Sequence, residues 1–260
     1  MRIENGIYML EVPTNIMEMG MVINLTLILD EDSLVLIDTG FPGQLHQIRE
    51  VCEKEGIPFS KLNTVILTHQ DIDHIGGISD ILKEMPGRVK VLAHEEEKAY
   101  INGEKKPVKL SRLEDGLDHL PANMKIIYEK LKAGFENSRV NVNKTLIDLE
   151  ELPYCGGITV VHTPGHTPGH ISLYLEKWKI LIAGDILCVK EGLLVKADQN
   201  INFDNELNKE SLKKLMNYDI ETVICYHGGV YKGKVNERIA ELAMGIWKVQ
   251  YIAFFNINSL

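Results

Sequence analysis

The sequence predicts an α+β fold in which two β-sheets pack face to face and helices cover the outer faces. Two observations lead to this prediction. Apolar, β-branched segments come in runs in both halves of the chain, with helical segments between and outside them. Each half also contains an apolar strand that ends at an aspartate, over residues 34–38 in one half and 180–185 in the other. A single open parallel sheet would instead alternate strands and helices along the whole chain.

The first half of the chain contains five predicted strands and two predicted helices. The strands are expected over residues 7–12, 24–29, 34–37, 63–67 and 89–93. The helices are expected over residues 43–55 and 78–85.

The second half repeats this combination of strands and helices. Its strands are predicted over residues 158–162, 171–175, 179–183 and 222–226, and its helices over 205–217 and 235–249. The apolar tail over residues 242–257 is expected to pack as a terminal helix or strand. By analogy, it is also the expected contact of a homodimer.

The middle of the chain, at about residues 95–145, is polar and helical, with breaks at Pro107 and Pro121. We interpret it as a helical insertion in a single domain that spans residues 1–260. An insertion of this size is expected to form a lid over an active site. The alternative is a helical layer that does not contact substrate.

Composition limits the classes of function. The formal charge of −9 disfavours nonspecific binding to nucleic acid, which needs a basic face, but it does not exclude a small anionic substrate. No run of eighteen apolar residues is present, so no membrane span is expected. The four cysteines show no C-x-x-C pair, and the first residues lack the apolar run of a signal peptide. We therefore expect reduced thiols and a cytoplasmic protein.

Four potential metal ligands lie within the six residues from 69 to 74. They are His69, Asp71, Asp73 and His74. A buried strand precedes them, and the glycines at 76–77 allow the backbone to turn into a helix. This combination of imidazoles and carboxylates on one loop favours a borderline divalent cation over one that prefers thiolates.

Three more potential ligands follow predicted strands far along the chain. His166 lies in the loop H-T-P-G-H-T-P-G-H at residues 162–170. Asp185 follows an apolar strand and a glycine, and His227 precedes two glycines. Histidines and aspartates at strand ends beside glycine suit a preorganised metal site.

This ordered set of motifs resembles the metallo-β-lactamase superfamily. The set consists of H-x-D-x-D-H, then H-T-P-G-H-T-P-G-H, G-D and H-G-G, and the resemblance extends over residues 38–229. It implies a four-layer αβ/βα sandwich of two mixed β-sheets and a metal-dependent hydrolase that acts on a small molecule.

The resemblance also implies a dinuclear site with seven ligands. His69, Asp71 and His166 would hold the first metal. Asp73, His74 and His227 would hold the second metal, and Asp185 would bridge the pair. Two divalent ions, expected to be Zn²⁺, would share a hydroxide that attacks a polarised carbonyl. Asp73 would orient that hydroxide or move its proton, which makes it the expected catalytic residue.

The sequence departs from the usual family pattern at Asp71, where the superfamily hydrolases carry histidine. A carboxylate there lowers the Lewis acidity of the first metal and favours iron or manganese. One alternative is therefore a diiron redox protein, of the oxygen or nitric oxide reductase kind. Such relatives have a glutamate at this position and commonly a fused flavodoxin domain, for which this sequence has no room. Another alternative is that Asp71 binds no metal.

The substrate class rests on a narrower resemblance. The H-T-P-G-H-T-P-G-H loop and the G-D motif are similar to those of glyoxalase II and acyl-homoserine lactone lactonases, which favours an ester, lactone or thioester. Cys188 stands where those lactonases have tyrosine, and Tyr226 is a candidate replacement. A non-catalytic metal-binding protein is a further alternative.

Asp38 is expected to bond a ligand histidine or the ligand loop, and His170 to make a structural hydrogen bond.

Overall fold

The structure, a computed structural model, describes residues 1–14, 20–119 and 121–245. The first half of the chain forms a seven-stranded sheet. Its strands are Arg2–Glu4 (β1), Ile7–Thr14 (β2), Met21–Leu29 (β3), Leu34–Ile37 (β4), Leu62–Leu67 (β5), Lys90–His94 (β6) and Lys144–Leu146 (β7). They lie in the order β1 to β7, antiparallel from β1 to β4 and parallel from β4 to β7, so the sheet is mixed.

The second half contributes eight strands. They are Glu151–Leu152 (β8), Ile158–His162 (β9), Ile171–Leu175 (β10), Ile180–Ile182 (β11), Leu187–Lys190 (β12), Leu193–Lys196 (β13), Thr222–Cys225 (β14) and Gly229–Lys232 (β15). Six form a sheet in the order β15-β14-β11-β10-β9-β8, in which only β11 and β14 pair parallel. The remaining two form a hairpin closed by Glu191 and Gly192, whose φ angles of 52° and 76° match a tight turn with positive φ at both central positions.

The two sheets pack against each other through one face of each. Side chains alternate between faces along a strand. In β4, Val35 and Ile37 join the apolar cluster between the sheets, whereas Leu34 and Leu36 join the cluster under the outer helices. All four are buried, and each such side chain contributes about 1.5–3 kcal/mol of burial free energy.

Helices cover both outer faces. They are Leu45–Lys54 (α1), Ile72–Ile75 (α2), Ile78–Glu84 (α3), Glu95–Ile101 (α4), Val108–Asp115 (α5), Ala122–Asn137 (α6), Asn205–Leu215 (α7) and Val235–Met244 (α8). Apolar side chains of α1 to α6 join the core of the first sheet, and those of α7 and α8 join the core of the second. This arrangement confirms the predicted four-layer α+β sandwich. The predicted insertion corresponds to α4, α5 and α6, between β6 and β7; its opening and closing as a lid remains a prediction.

Every predicted strand is present, with small shifts at its ends. Six strands were missed, namely β1, β7, β8, β12, β13 and β15. These strands have two to four residues each and carry charged or glycine residues, so neighbouring strands rather than their own periodicity determine their conformation.

The predicted C-terminal helix is present as α8, which ends at Met244 before Gly245, and residues 246–249 lie outside the described residues. Most of the apolar tail at 242–257, with its expected dimer contact, lies outside them as well. No helix within the described residues combines the length and the apolar character needed to cross a membrane.

Candidate metal centre

Seven side chains with metal-binding groups converge at one edge of the sandwich. They lie after β5 and in α2, in the loop between β9 and β10, after β11 and after β14. The two sheets are tied together at this edge, because both the backbone N–H and the Nδ2 of Asn24 in β3 donate to the carbonyl oxygen of Tyr226. Strands of both sheets therefore end beside one another, and their terminal residues share one space.

The seven residues form two groups of four. His69, Asp71, His166 and Asp185 make one group, and Asp73, His74, Asp185 and His227 make the other. In each group the potential ligand atoms all lie within 4.8 Å of one another, and Asp185 belongs to both. All seven residues predicted from the sequence, including Asp71, thus lie together.

The spacing of the first group fits a single small cation. Asp71 Oδ2 lies 3.1 Å from His69 Nε2 and 2.9 Å from His166 Nε2, and Asp185 Oδ2 lies 3.6 Å from His166 Nε2. Four ligands at about 2.0–2.1 Å from an ion at the centre of a tetrahedron are about 3.3 Å apart.

The second group has the same spacing. His227 Nε2 lies 3.3 Å from both Asp73 Oδ2 and Asp185 Oδ2, and His74 Nε2 lies 3.4 Å from Asp185 Oδ1.

Several of these atoms are buried without a hydrogen-bond partner among the described residues. The atoms without a partner are Asp71 Oδ1, His74 Nε2 and Asp185 Oδ1. An unpaired buried carboxylate oxygen or imidazole nitrogen costs free energy unless another group satisfies it. Carboxylate oxygens and imidazole nitrogens are ligands of divalent cations, so the unpaired atoms and the composition of the two groups fit divalent metal ions.

Hydrogen bonds hold three of the imidazoles with Nε2 towards the cluster. His74 Nδ1 donates to Asp38 Oδ2 at 2.8 Å, and His166 Nδ1 donates to Asn202 Oδ1 at 3.1 Å. The Thr68 hydroxyl donates to Asp38 Oδ2, so its oxygen accepts from His69 Nδ1 at 3.0 Å. In the neutral imidazole, each Nε2 then carries the lone pair that a ligand to a metal requires.

Asp38 is the central acceptor of these bonds. Its other oxygen, Oδ1, accepts from the backbone N–H of Thr68 at 2.8 Å, so one carboxylate receives three donors. The residue has a φ of 62°, a left-handed conformation that is costly for a side chain other than glycine. The expected contact of Asp38 with a ligand histidine and the ligand loop is thus present in the structure.

The electrostatics of the cluster favour positive charge. Burial lowers the pKa of His74, but Asp185, Asp38 and Asp73 outweigh burial and hold that pKa well above its ordinary value. Burial raises the pKa of Asp185, but His227 and His74 outweigh it and hold the pKa well below the usual range. Burial also lowers the pKa of His227, yet Asp185 and Asp73 raise it to about 10. Stabilisation of positive charge in this way is what binding of a cation requires.

Comparison with known proteins assigns the family. The family model of the metallo-beta-lactamase superfamily matches residues 20–227. The chain belongs to this superfamily. YflN of Bacillus subtilis, a probable metallo-hydrolase, is 30% identical over 217 residues, which cover 78% of each chain. YybB of the same organism, also a probable metallo-hydrolase, is 24% identical over 201 residues, or 77% of each chain.

Solved structures of superfamily members have the same fold. A metallo-beta-lactamase family protein from Thermus thermophilus is 27% identical, with a TM-score of 0.71 over 94% of this chain and 80% of that one. An archaeal superfamily protein from Sulfolobus tokodaii is 22% identical, with a TM-score of 0.60 over 98% and 91% of the two chains. Relatives named as metallo-hydrolases support a metal-dependent hydrolase in general terms. Membership of the branch that includes glyoxalase II and the lactonases stays a prediction.

A buried glutamate that no sequence motif indicated links the two ligand loops. Glu97 in α4 is fully buried, and its Oε1 accepts from the Thr167 hydroxyl and from the Gly169 N–H, each at 2.7 Å. Its Oε2 accepts from Gln70 Nε2 at 2.9 Å. One carboxylate therefore binds both loops. It contacts Gln70, which lies between His69 and Asp71, and Thr167, which follows His166.

Lys109 on α5 of the insertion is a second residue of the centre that was not among the predicted site residues. Its ammonium group contacts Asp71 Oδ2 and lies 3.1 Å from His166 Nε2. A signal was available in the basic composition of residues 105–112, but nothing in the sequence indicated that this segment lies over the cluster.

Two residues weighed for secondary roles have defined contacts. His170 Nε2 accepts from the backbone N–H of Asp185 at 2.9 Å, and so makes the structural hydrogen bond expected of it. The Tyr226 hydroxyl donates to the Asp73 carbonyl oxygen, and its ring packs on His74 at 3.8 Å between centroids. Tyr226 therefore supports the ligand loop and does not replace the lactonase tyrosine.

Proposed function

We propose that this protein is a dinuclear metal-dependent hydrolase that cleaves an ester, lactone or thioester bond in a small molecule. The observation that carries the proposal is the pair of four-residue groups that share Asp185. Two ions would be held by three residues each, with Asp185 common to both. These residues are His69, Asp71 and His166 for the first ion, and Asp73, His74 and His227 for the second.

When bound, two divalent ions supply a nucleophile made from water at neutral pH and positive charge where an oxyanion develops. The protein's own groups prepare the site for this chemistry. Asp38, Thr68 and Asn202 hold three imidazoles in the tautomer that presents Nε2 to the cluster. These hydrogen bonds orient the imidazoles, so the site is preorganised for a metal ion.

Asp73 is the proposed catalytic residue of the chain. Its side chain is 16% exposed, against 3% for Asp71 and 7% for Asp185, so it is the carboxylate of the cluster nearest to the opening. A carboxylate that is part of the cluster and partly exposed to solvent can accept a proton on the oxygen that does not hold the ion and release it to water.

Zinc is the proposed metal, with iron or manganese as alternatives because Asp71 supplies oxygen where a histidine would supply nitrogen. The position of Asp71 within the first group also keeps a second candidate function, a diiron redox protein. We propose in addition a cytoplasmic protein with a small-molecule substrate and no nucleic-acid partner, in keeping with the charge of −9.

The test combines metal content with a substrate screen. Protein purified without chelator or added metal is analysed by elemental mass spectrometry, and the same preparation is assayed on neutral and charged esters, lactones and thioesters. About two zinc or manganese ions per chain, with hydrolysis lost in Asp185→Asn and retained in the surface control Asp80→Asn, would support the proposal.

Other outcomes would refute it in distinguishable ways. Two iron ions with a visible absorption spectrum and no hydrolysis would favour the redox protein. Two ions and no turnover of any substrate would favour a non-catalytic metal-binding protein. One ion or fewer would contradict the role of Asp71 in a dinuclear site.

A further inference from the structure

Lys109 brings a positive charge from the insertion into the candidate metal centre. Its ammonium group contacts Asp71 Oδ2 and lies 3.1 Å from His166 Nε2, while its side chain is 33% exposed. Within the described residues, Asp71 is the one carboxylate at ion-pair distance from it.

The helix that carries Lys109 is anchored to both halves of the fold. At its start, the Val108 N–H donates to Gln70 Oε1 at 2.8 Å. One turn later, Arg112 donates from Nη1 to the Asn202 carbonyl at 2.6 Å and from Nη2 to the Phe203 carbonyl at 2.9 Å. The backbone of α5 is therefore held across the cluster by contacts on both sides of Lys109.

The partners of Lys109 are the atoms that a metal ion would take. Asp71 Oδ2 and His166 Nε2 belong to the first donor group, and the single lone pair of His166 Nε2 cannot serve an ammonium group and a divalent ion at once. An ion bound there would take His166 Nε2 from Lys109 and neutralise the charge of Asp71, while α5 keeps the ammonium group at the opening of the centre. A partly buried ammonium group with a weakened counter-ion costs free energy, so this site favours the arrival of another anion.

The surroundings of Lys109 add to this positive charge. Residues 105–112 contain four basic residues and no acidic one, in a chain with a formal charge of −9. Lys106 is neutralised by Glu114, whereas Arg112 is bonded to carbonyl oxygens and has no carboxylate within ion-pair distance in the part of the chain that the structure describes. Lys109 and Arg112 are three residues apart and share a face of α5.

Two exposed apolar residues lie on the loop that Arg112 contacts. Ile201 and Phe203 are 44% and 42% exposed, and they flank Asn202, which bonds His166. The surface around the centre thus offers positive charge on α5 and apolar contact on the loop at residues 201–203.

We propose that Lys109, supported by Arg112, binds an anionic group of the substrate, either a carboxylate or a phosphate, close to the bond that is cleaved. The substrates would accordingly be acidic esters, lactones or thioesters with an apolar portion. This inference rests on the proposed hydrolase function, and it assigns Lys109 as a residue that determines specificity.

The first experiment compares matched substrates. Thioesters of one thiol are prepared with acyl chains that end in a carboxylate, in a phosphate or in the neutral methyl ester of the carboxylate. We expect Lys109→Met to lower kcat/KM for the two anionic substrates roughly 10- to 100-fold, mainly through KM, as is typical for loss of a hydrogen bond to a charged group. Its effect on the neutral substrate should be within about twofold. Lys109→Arg should restore much of the preference, and Lys125→Met on the exposed side of α6 is the matched control.

A second experiment measures binding without turnover. Succinate and inorganic phosphate are titrated calorimetrically into the zinc-loaded wild type and into Lys109→Met, and the zinc content of both proteins is determined. Weaker binding of either anion by the variant, at equal zinc content, would support the inference and identify the preferred anion.

Three results would overturn the inference. One is an equal loss of activity on neutral and anionic substrates, and another is unchanged affinity for both anions. The third is a change in zinc content in Lys109→Met, which would make Lys109 a partner of the metal site alone. If the wild type hydrolyses nothing, the proposed function fails, and the anion titrations still decide the role of Lys109.

Discussion

Replacing Asp38 by Asn should weaken metal binding at both sites although residue 38 contacts neither. The Asp38 carboxylate accepts three hydrogen bonds, from the Thr68 N–H, the Thr68 hydroxyl and His74 Nδ1, each at 2.8 Å. An asparagine side chain of the same shape has one oxygen and one NH₂ group, so it cannot accept all three.

Each orientation of that asparagine has a different cost. With the NH₂ group at the Oδ2 position, His74 Nδ1 must accept a hydrogen bond, and its proton moves to Nε2 where a metal would bind. The Thr68 hydroxyl would then accept from the amide and donate to His69 Nδ1, so His69 would also carry its proton on Nε2. With the NH₂ group at the Oδ1 position, the Thr68 N–H is left without a partner in a buried site, which costs about 1–3 kcal/mol.

The expected magnitude follows from these alternatives. Loss of a partner that orients a metal-bound histidine lowers metal affinity by about 10- to 100-fold. Because His69 belongs to the first donor group and His74 to the second, both affinities should fall. The assay is competition for zinc against a chromophoric chelator, together with chemical denaturation of the metal-depleted protein.

Two variants control this experiment. Thr68→Val removes the hydroxyl that bonds His69, so it should weaken the first site more than the second. Asp204→Asn makes the same chemical change at the N-cap of α7. Aspartate and asparagine can both accept the hydrogen bonds from the first backbone N–H groups of that helix, so this variant should change neither zinc affinity. Unchanged zinc affinity in Asp38→Asn, with unchanged stability, would refute the reasoning about tautomers.

Three further predictions concern pH, backbone geometry and metal removal. Burial raises the pKa of Glu97 from 4.5 to about 7, so its contribution to stability is complete below pH 4.5 and is lost as the pH rises through 7. Glu97→Gln should remove this pH dependence, which is worth about 3 kcal/mol of unfolding free energy. The measurement is the difference in unfolding free energy between wild type and variant at pH 5 and at pH 8. An equal difference at the two pH values would contradict the prediction. Gly228→Ala should lower Tm far more than Gly87→Ala. Both glycines have a positive φ, but only at residue 228 would an added Cβ atom meet a backbone atom, the Val189 oxygen at 1.9 Å. Equal losses of Tm in the two variants would exclude this clash as the cause. Chelator should lower Tm reversibly, since an ion at 100 times its Kd stabilises the fold by about 2.7 kcal/mol, and a Tm independent of zinc would count against a tight site.

The metal-binding candidates could be identified from the sequence because each one follows an apolar strand or lies beside glycine. The carboxyl ends of buried strands are rigid, and glycine allows close approach of the backbone, so a histidine or aspartate there stands out from surface residues. The order of strands and helices along the chain also predicted two packed sheets, and strands such as β4 and β5 stand out because they are almost entirely buried.

The supporting residues could not be identified in this way. Lys109 and Glu97 occur in polar helical segments, where lysine and glutamate are ordinary surface residues. Lys109 meets Asp71 across 38 positions of sequence, and Glu97 meets Gly169 across 72. Only the tertiary arrangement shows that α4 and α5 lie over the ligand loops. Helix periodicity predicts which face of a helix is apolar, but not what that face covers.

The division of the centre between the two halves has a consequence for biosynthesis. His74 and His227 are separated by 153 positions (227 − 74), and at about 5–20 residues per second a ribosome needs roughly 8–30 s to translate that interval. For the first 92 positions of that interval (166 − 74), the nascent chain presents the ligands of one half only, and Asp185, which joins the two groups, is added after 111 positions (185 − 74). The second group would be complete only when translation has passed His227, so selection of ions by the joined centre would be postponed until the chain is almost finished.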